Sequence, residues 1–141
     1  MPLDYFMKKI LLITETVTGL SALICGGLLV TWPDGSAIGL PLFLLKTSPF
    51  DNFFIPGLIL ALVIGGSQLI ALLAGLSNLT SAGRRTLIAG ILLMGWIIVQ
   101  VIMIRGVSWL HLVFAGIGLF QIIYGVKNSG KTKALAGCDV L

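Results

Sequence analysis

The chain is dominated by four long apolar runs, each of a length that suits a membrane-crossing helix. The runs are Ile10–Val30, Pro56–Leu76, Thr86–Ile104 and Val107–Val126. A helix needs about 20 apolar residues to cross the hydrocarbon core of a bilayer. Glu15 is the only Asp, Glu, Lys or Arg residue within them. The sequence therefore predicts an all-α integral membrane four-helix bundle that forms a single transmembrane domain over residues 1–141.

Composition supports lipid as the solvent and excludes several functional classes. The chain is 57% hydrophobic and 10% charged, with a mean hydropathy of +1.11, whereas a soluble domain carries about 25% charge. The net charge of +4 lies at the ends of the runs, so it does not indicate nucleic-acid binding. Cys25 and Cys138 form no Cys-x-x-Cys pair, which argues against thiol–disulfide chemistry.

The basic residues predict the orientation of the spans. Lys and Arg concentrate on the cytoplasmic side. Seven of the nine basic residues fall before the first run, between the second and third, or after the fourth. They are Lys8, Lys9, Arg84, Arg85, Lys127, Lys131 and Lys133. Only Lys46 and Arg105 fall on the other side. We expect a multi-pass protein of a bacterial plasma membrane, with both termini and the tail 127–141 in the cytoplasm.

The long connection Thr31–Ile55 is the most unusual segment. Its apolar stretch SAIGLPLFLL is too short to cross a bilayer and is interrupted by Pro41. We expect an interfacial or re-entrant segment on the outer face of the bundle. This outer loop is either a binding surface or a cap on the bundle. By contrast, the turn at Arg105–Gly106 is very tight, which makes the third and fourth spans antiparallel neighbours.

Small residues and polar residues share one face on three of the runs. Such faces drive helix association in lipid, through close packing and interhelical hydrogen bonds. The faces are Glu15, Gly19, Ala22 and Gly26; then Gly57, Ala61, Gly65, Gln68 and Gly75; then His111, Ala115, Gly118, Gln121 and Gly125. At about 1.5 Å of rise per residue, Glu15, Gln68 and Gln121 come to similar depths. His111, Gln100 and Arg105 form a second polar group near the outer boundary.

Glu15 is the main candidate functional residue, with two interpretations open. Ionisable residues inside a membrane are costly and often functional, and a proton carrier or cation ligand needs a carboxyl group held away from water. Alternatively, Glu15 holds the helices together by hydrogen bonds to Thr14, Thr16, Thr18, Gln68 or Gln121. His111 could shuttle protons or serve as an anchoring residue. The sequence predicts no catalytic residues, no metal site and no cofactor.

One stretch near the end of the chain matches a phosphate-binding motif but lacks its structural setting. The stretch GVKNSGKT, from Gly125 to Thr132, fits the phosphate-binding pattern G-x-x-x-x-G-K-[ST]. That loop works between a buried strand and a helix whose N-terminus holds the phosphate. Here an apolar run precedes it, so we interpret the stretch as part of a basic tail.

The stretch SPFDNFFIPGLILALVIGGSQLIALL resembles the second-helix region of DoxX-like small bacterial membrane proteins. The resemblance implies four helices with an outer loop after the first, and an association with membrane redox complexes. Gln68 stands where an acidic residue is common in that group. A second resemblance, to small multidrug transporters, rests on Glu15 in a first helix of four. The setting ETVTG and the long first loop differ from that family.

Together these features predict a small integral membrane protein that acts as an accessory or complex subunit without its own catalytic centre. Its partners would be the lipid bilayer and other membrane subunits or further copies of itself. The alternative is a proton-coupled small-molecule transporter or channel that uses Glu15. An enzyme ranks third, because no nucleophile–base pair is visible.

Overall fold

The four apolar runs form four long helices. The computed structural model describes residues 2–46 and 48–139. Within those residues, α1 is Pro2–Thr31, α2 is Phe54–Leu76, α3 is Ala82–Ile104 and α4 is Trp109–Asp139. All four are long and apolar enough to cross a membrane. The all-helical fold class is therefore confirmed.

The helices extend beyond the apolar runs at both ends of the chain. Helix α1 begins at Pro2, and α4 continues through the predicted tail as far as Asp139. The reason is that hydropathy marks only the apolar part of a helix, whereas Lys and Ala are also good helix formers. The backbone from Gly125 to Thr132 is helical, so it does not form a phosphate-cradling loop. The last two residues of the predicted tail lie outside the described range.

The helices pack in a ring in the order α1, α2, α3, α4. Helix α3 packs extensively on α4, as the tight turn between them predicts, and α1 packs as extensively along α2. Helix α2 also packs on α3. The seam between α1 and α4 is the sparsest. Helices α1 and α3 therefore face each other across the bundle, and so do α2 and α4.

Glycines bring neighbouring helices into backbone contact. A Cβ atom at Gly26 on α1 would lie 2.6 Å from the amide nitrogen of Ala61 and from the carbonyl oxygen of Gly57 on α2. A Cβ atom at Gly125 on α4 would lie 2.6 Å from Cβ of Leu87 on α3. Helix α2 takes a π-helical turn over Leu60–Gly65 where it meets α1. Only glycine allows approaches this close, which explains the small-residue faces.

The connection between α1 and α2 folds back onto one end of the bundle. Short 3₁₀ turns form at Ser36–Ile38 and Leu42–Leu45. Leu45 and Phe53 are buried against Leu29 of α1, with Met103 of α3 beside them. The predicted stretch therefore contains helical turns, and part of the connection covers the bundle end. We call this end, opposite Lys8 and Arg84, the loop end.

A tight turn at Asp34–Ser36 begins this connection. Gly35 has φ 78°, and a Cβ atom there would lie 2.2 Å from the carbonyl oxygen of Leu40. Glycine is therefore required at this point. The Asp34 carboxylate accepts hydrogen bonds from the backbone amide and the hydroxyl of Ser36. These bonds favour the ionised form and lower the pKa of Asp34 below its ordinary value.

The distribution of side chains is the reverse of that in a soluble bundle. Glu15, Gln68 and Gln121 are 0% exposed. Large apolar side chains instead cover the outside; Leu62, Ile102 and Leu112 are 65%, 68% and 67% exposed. A small apolar core remains at mid-length, formed by Ala22, Ile64, Leu93, Trp96 and Ile97.

Candidate functional site

A buried hydrogen bond links Glu15 on α1 to α3. The Thr86 hydroxyl donates to Oε1 of Glu15 at 2.7 Å. Both side chains are buried, with Thr86 1% exposed. The two residues belong to helices that face each other across the ring, so the Glu15 side chain spans the bundle interior. This bond ties one diagonal of the bundle.

A reciprocal amide pair ties the other diagonal. Nε2 of Gln68 on α2 donates to Oε1 of Gln121 on α4 at 2.9 Å, and Nε2 of Gln121 donates back to Oε1 of Gln68 at 2.8 Å. Gln68 Nε2 also lies 3.4 Å from the carbonyl oxygen of Ala89 on α3. Each glutamine therefore uses a donor and an acceptor on the other, as a buried amide requires.

Helix α3 brings the two links together. The Thr86 hydroxyl donates to Glu15, and the carbonyl oxygen of Ala89, three residues later, accepts from Gln68. At Gly90 a Cβ atom would lie 2.9 Å from Cβ of Gln121, so α4 lies directly against this turn. The five buried polar residues Glu15, Thr18, Gln68, Thr86 and Gln121 form what we call the polar core.

Two buried oxygens of the polar core have no hydrogen-bond partner among the residues that the structure describes. They are Oε2 of Glu15 and Oγ1 of Thr18, three residues further along α1. Thr18 is 2% exposed. An unpaired buried polar atom costs free energy, on the order of 1–3 kcal/mol. Two such atoms on one helix face leave the polar core with capacity to bind a proton or a small polar ligand.

The three residues of the second predicted polar group have separate surroundings in the described part of the chain. Nδ1 of His111 accepts a hydrogen bond from the Ser108 backbone amide at 3.0 Å, so its ring nitrogen closes the first turn of α4 in the manner of a capping box. Arg105 is exposed and ends α3 with φ 54°. Gln100 is half-buried. Within the described part of the chain, no hydrogen bond joins Gln100, Arg105 and His111.

A cavity of about 350 Å³ opens at the end of the bundle opposite the loop end. Lys8 and Leu12 of α1 form one wall, Asn78 lies in the turn after α2, and Tyr124 of α4 forms another wall. Thr86 also lines it. Because Thr86 donates to Glu15, the cavity is one hydrogen bond away from the Glu15 carboxyl group.

A second cavity, of about 360 Å³, lies at the loop end. It is lined by Pro33, Pro49, Phe50, Asp51, Asn52, Phe54 and Ile55. It belongs to the outer loop, which the sequence predicts to be either a binding surface or a cap on the bundle.

Sequence reasoning missed the residue that partners Glu15. Thr14 and Thr16 instead donate to the carbonyl oxygens of Leu11 and Leu12 in their own helix. Thr86 is the first residue of the third apolar run. Its position three residues before Ala89, on the same face of the helix, was the one signal that its side chain points into the bundle.

The described residues contain no group of three or more His, Cys, Asp or Glu side chains that could hold a metal ion. No family model, curated protein or solved structure matches the chain.

Proposed function

We propose that this chain is a small integral membrane protein of a bacterial plasma membrane, with both termini in the cytoplasm. The observation that supports insertion is the inverted side-chain distribution: Glu15, Gln68 and Gln121 are buried while large aliphatic side chains cover the outside. In water such a surface would far exceed the apolar patches of monomeric proteins. In lipid it costs nothing, because lipid tails are as apolar as leucine.

Within the membrane, we propose that the chain acts as a non-catalytic accessory subunit. The polar core supports this role, because most of its groups bind one another and hold the four helices together. Four glycines on the helices have open space where a Cβ atom would lie: Gly27, Gly66, Gly95 and Gly116. Glycines of this kind suit close approach by the helices of a partner. We propose that the resemblance to DoxX-like proteins reflects the same accessory role.

Proton-coupled transport through Glu15 is the second candidate. It is favoured by the unpartnered Oε2 of Glu15 and Oγ1 of Thr18, and by the cavity that reaches Thr86. A carboxyl group with a free oxygen, one hydrogen bond from an open cavity, is an arrangement that a proton pathway would use.

Flux measurements on the purified protein in vesicles separate the two candidates. An imposed pH gradient is followed with an entrapped pH-sensitive dye, and empty vesicles serve as the control. For an accessory subunit we expect proton leakage equal to that of empty vesicles, both for the wild type and for Glu15→Gln. A flux that appears with the wild type and is abolished by Glu15→Gln would overturn this proposal in favour of transport.

The subunit role has a positive test of its own. Native mass spectrometry of the chain, extracted in mild detergent from its own membrane, should give an assembly heavier than the 15.0 kDa monomer. A Cβ atom at Gly95 or Gly116 would meet no other atom within 4 Å, so Gly95→Leu and Gly116→Leu should release the partner and leave the chain folded. A bare monomer from every mild extraction would contradict the subunit role.

A further inference from the structure

The cavity at the end opposite the loop end has the dimensions of a ligand site. Its volume of about 350 Å³ lies within the range of small-molecule pockets, roughly 300–1,000 Å³. All four helices contribute to it, and it includes walls from α1 and α4, the two helices whose seam is sparsest. The lining residues are Lys8, Leu11, Leu12, Gly75, Asn78, Leu79, Thr80, Ala82, Gly83, Thr86, Tyr124 and Asn128.

Along α1 the cavity wall changes from polar to apolar with depth. Lys8 lies at the outer part of the cavity, where its ammonium donates a hydrogen bond to Oδ1 of Asn78. Leu11 and Leu12 lie one helical turn further in, about 4.5–6 Å deeper at 1.5 Å per residue. A ligand that lies along this wall therefore meets a charged group outside and apolar side chains inside, while Thr86 of α3 also lines the cavity.

The charge around the cavity selects an anion. Lys8 lines it, while Lys9, Arg84, Arg85 and Lys127 lie at the same end of the bundle. Of the carboxylates whose side chains the structure describes, Asp34 and Asp51 lie at the loop end, and Glu15 is fully buried. Basic pockets of this kind between helices bind lipid head groups.

We propose that this cavity binds the phosphate head group of an anionic phospholipid, with Lys8 as its principal charge and the start of an acyl chain against Leu11 and Leu12. The leucine walls favour a lipid over a soluble phosphate, which has no apolar part to cover them. The inference rests on the membrane insertion proposed above, but it is independent of the subunit role and of proton transport.

The test is lipid retention measured by native mass spectrometry on protein from nanodiscs of phosphatidylglycerol and phosphatidylcholine in equal amounts. We expect one phosphatidylglycerol molecule to be retained in preference to phosphatidylcholine. Lys8→Gln should weaken retention at least about tenfold, because it removes the direct charge-assisted hydrogen bond to the phosphate rather than only a charge near the lipid surface. Lys9→Gln is the matched control, because it removes the same charge from the next residue, which does not line the cavity. It should change retention less than twofold.

A further variant separates charge from structure. Lys8→Arg keeps the positive charge and should keep the lipid. If Lys8→Arg loses the lipid as Lys8→Gln does, the effect does not come from the charge and the proposal is wrong.

Three other results would overturn the proposal. They are equal retention of the two lipids, equal effects of Lys8→Gln and Lys9→Gln, and displacement of the lipid by millimolar inorganic phosphate, which would make the ligand a soluble anion. A chain that enters nanodiscs but shows no lipid preference would contradict the lipid site and leave membrane insertion standing. A chain that does not enter them would contradict membrane insertion.

Discussion

The hydroxyl of Thr86 on α3 lies 2.7 Å from Oε1 of Glu15 on α1, two helices that face each other across the bundle. The Gln68–Gln121 pair closes the other diagonal at 2.8 and 2.9 Å. Neighbouring helices are held by close glycine contacts, whereas opposite helices are held by long polar side chains. The polar core therefore supplies contacts that backbone packing cannot, because opposite helices are too far apart to touch directly.

Gly26→Ala should destabilise the bundle, whereas Gly27→Ala should not. The new Cβ atom at residue 26 would lie 2.6 Å from backbone atoms of α2, which forces the helices apart at a cost of about 1–3 kcal/mol. At Gly27 nothing lies within 4 Å. Unfolding in mixed detergent micelles, followed by circular dichroism, measures both. Equal effects at the two positions would refute the close α1–α2 contact.

Gln68→Leu should be more harmful than the double variant Gln68→Leu, Gln121→Leu. The single change leaves the Gln121 amide buried without its partner, at a cost of about 1–3 kcal/mol. The double change removes both polar groups together, and paired apolar replacements are often close to neutral. The same unfolding measurement, with Gln100→Leu as the control outside the polar core, checks this order. A double variant that loses the sum of the two single effects would show that the glutamines act separately.

The basic residues predict the orientation of the bundle in the membrane. Alkaline phosphatase fused after Leu141 should be inactive, because it would stay in the cytoplasm, whereas a fusion at Lys46 should be active. Among the residues whose side chains the structure describes, five of these basic residues lie at the end opposite the loop end. An active fusion after Leu141 would mean that the orientation is the opposite one or that the number of spans is not four.

The outer loop offers a test of interfacial depth. Phe43 and Asp51 are both exposed in the structure, so the protein itself protects neither. If residues 36–45 lie at the head-group level, a cysteine at residue 43 reacts slowly with a water-soluble maleimide and one at residue 51 reacts fast. The background carries alanine in place of Cys25 and Cys138. Equal, fast labelling would indicate an ordinary exposed loop.

Much of the fold follows from the sequence, because hydropathy indicates which segments contact lipid and the spacing of small residues indicates which helix faces pack closely. The inward faces of α1 and α2 and the similar depths of Glu15, Gln68 and Gln121 could be derived this way. The hydrogen-bond partners of these residues could not be derived from the sequence. Which hydroxyl meets Glu15 depends on the rotation of α3 about its axis, which is set by contacts such as Gly90 with Gln121.

His111 shows a second limit of sequence reasoning. Its place on a stripe with Gln121 suggested an inward direction, but the ring turns back to the Ser108 amide. A local hydrogen bond at a helix start competes with the tertiary contacts that a helical stripe implies. The spacing Ser-x-x-His was the signal that could have indicated it.

The most direct test of the account is a double-mutant cycle on Glu15 and Thr86, measured as free energies of unfolding in mixed micelles. Glu15→Leu and Thr86→Val should each cost about 1 kcal/mol, the scale of an interhelical hydrogen bond in a membrane protein. Because both remove the same bond, the double variant should cost no more than either single one, while Glu15→Gln should be nearly silent. Costs that simply add, with no coupling between the two residues, would contradict the claim that this hydrogen bond holds α1 to α3.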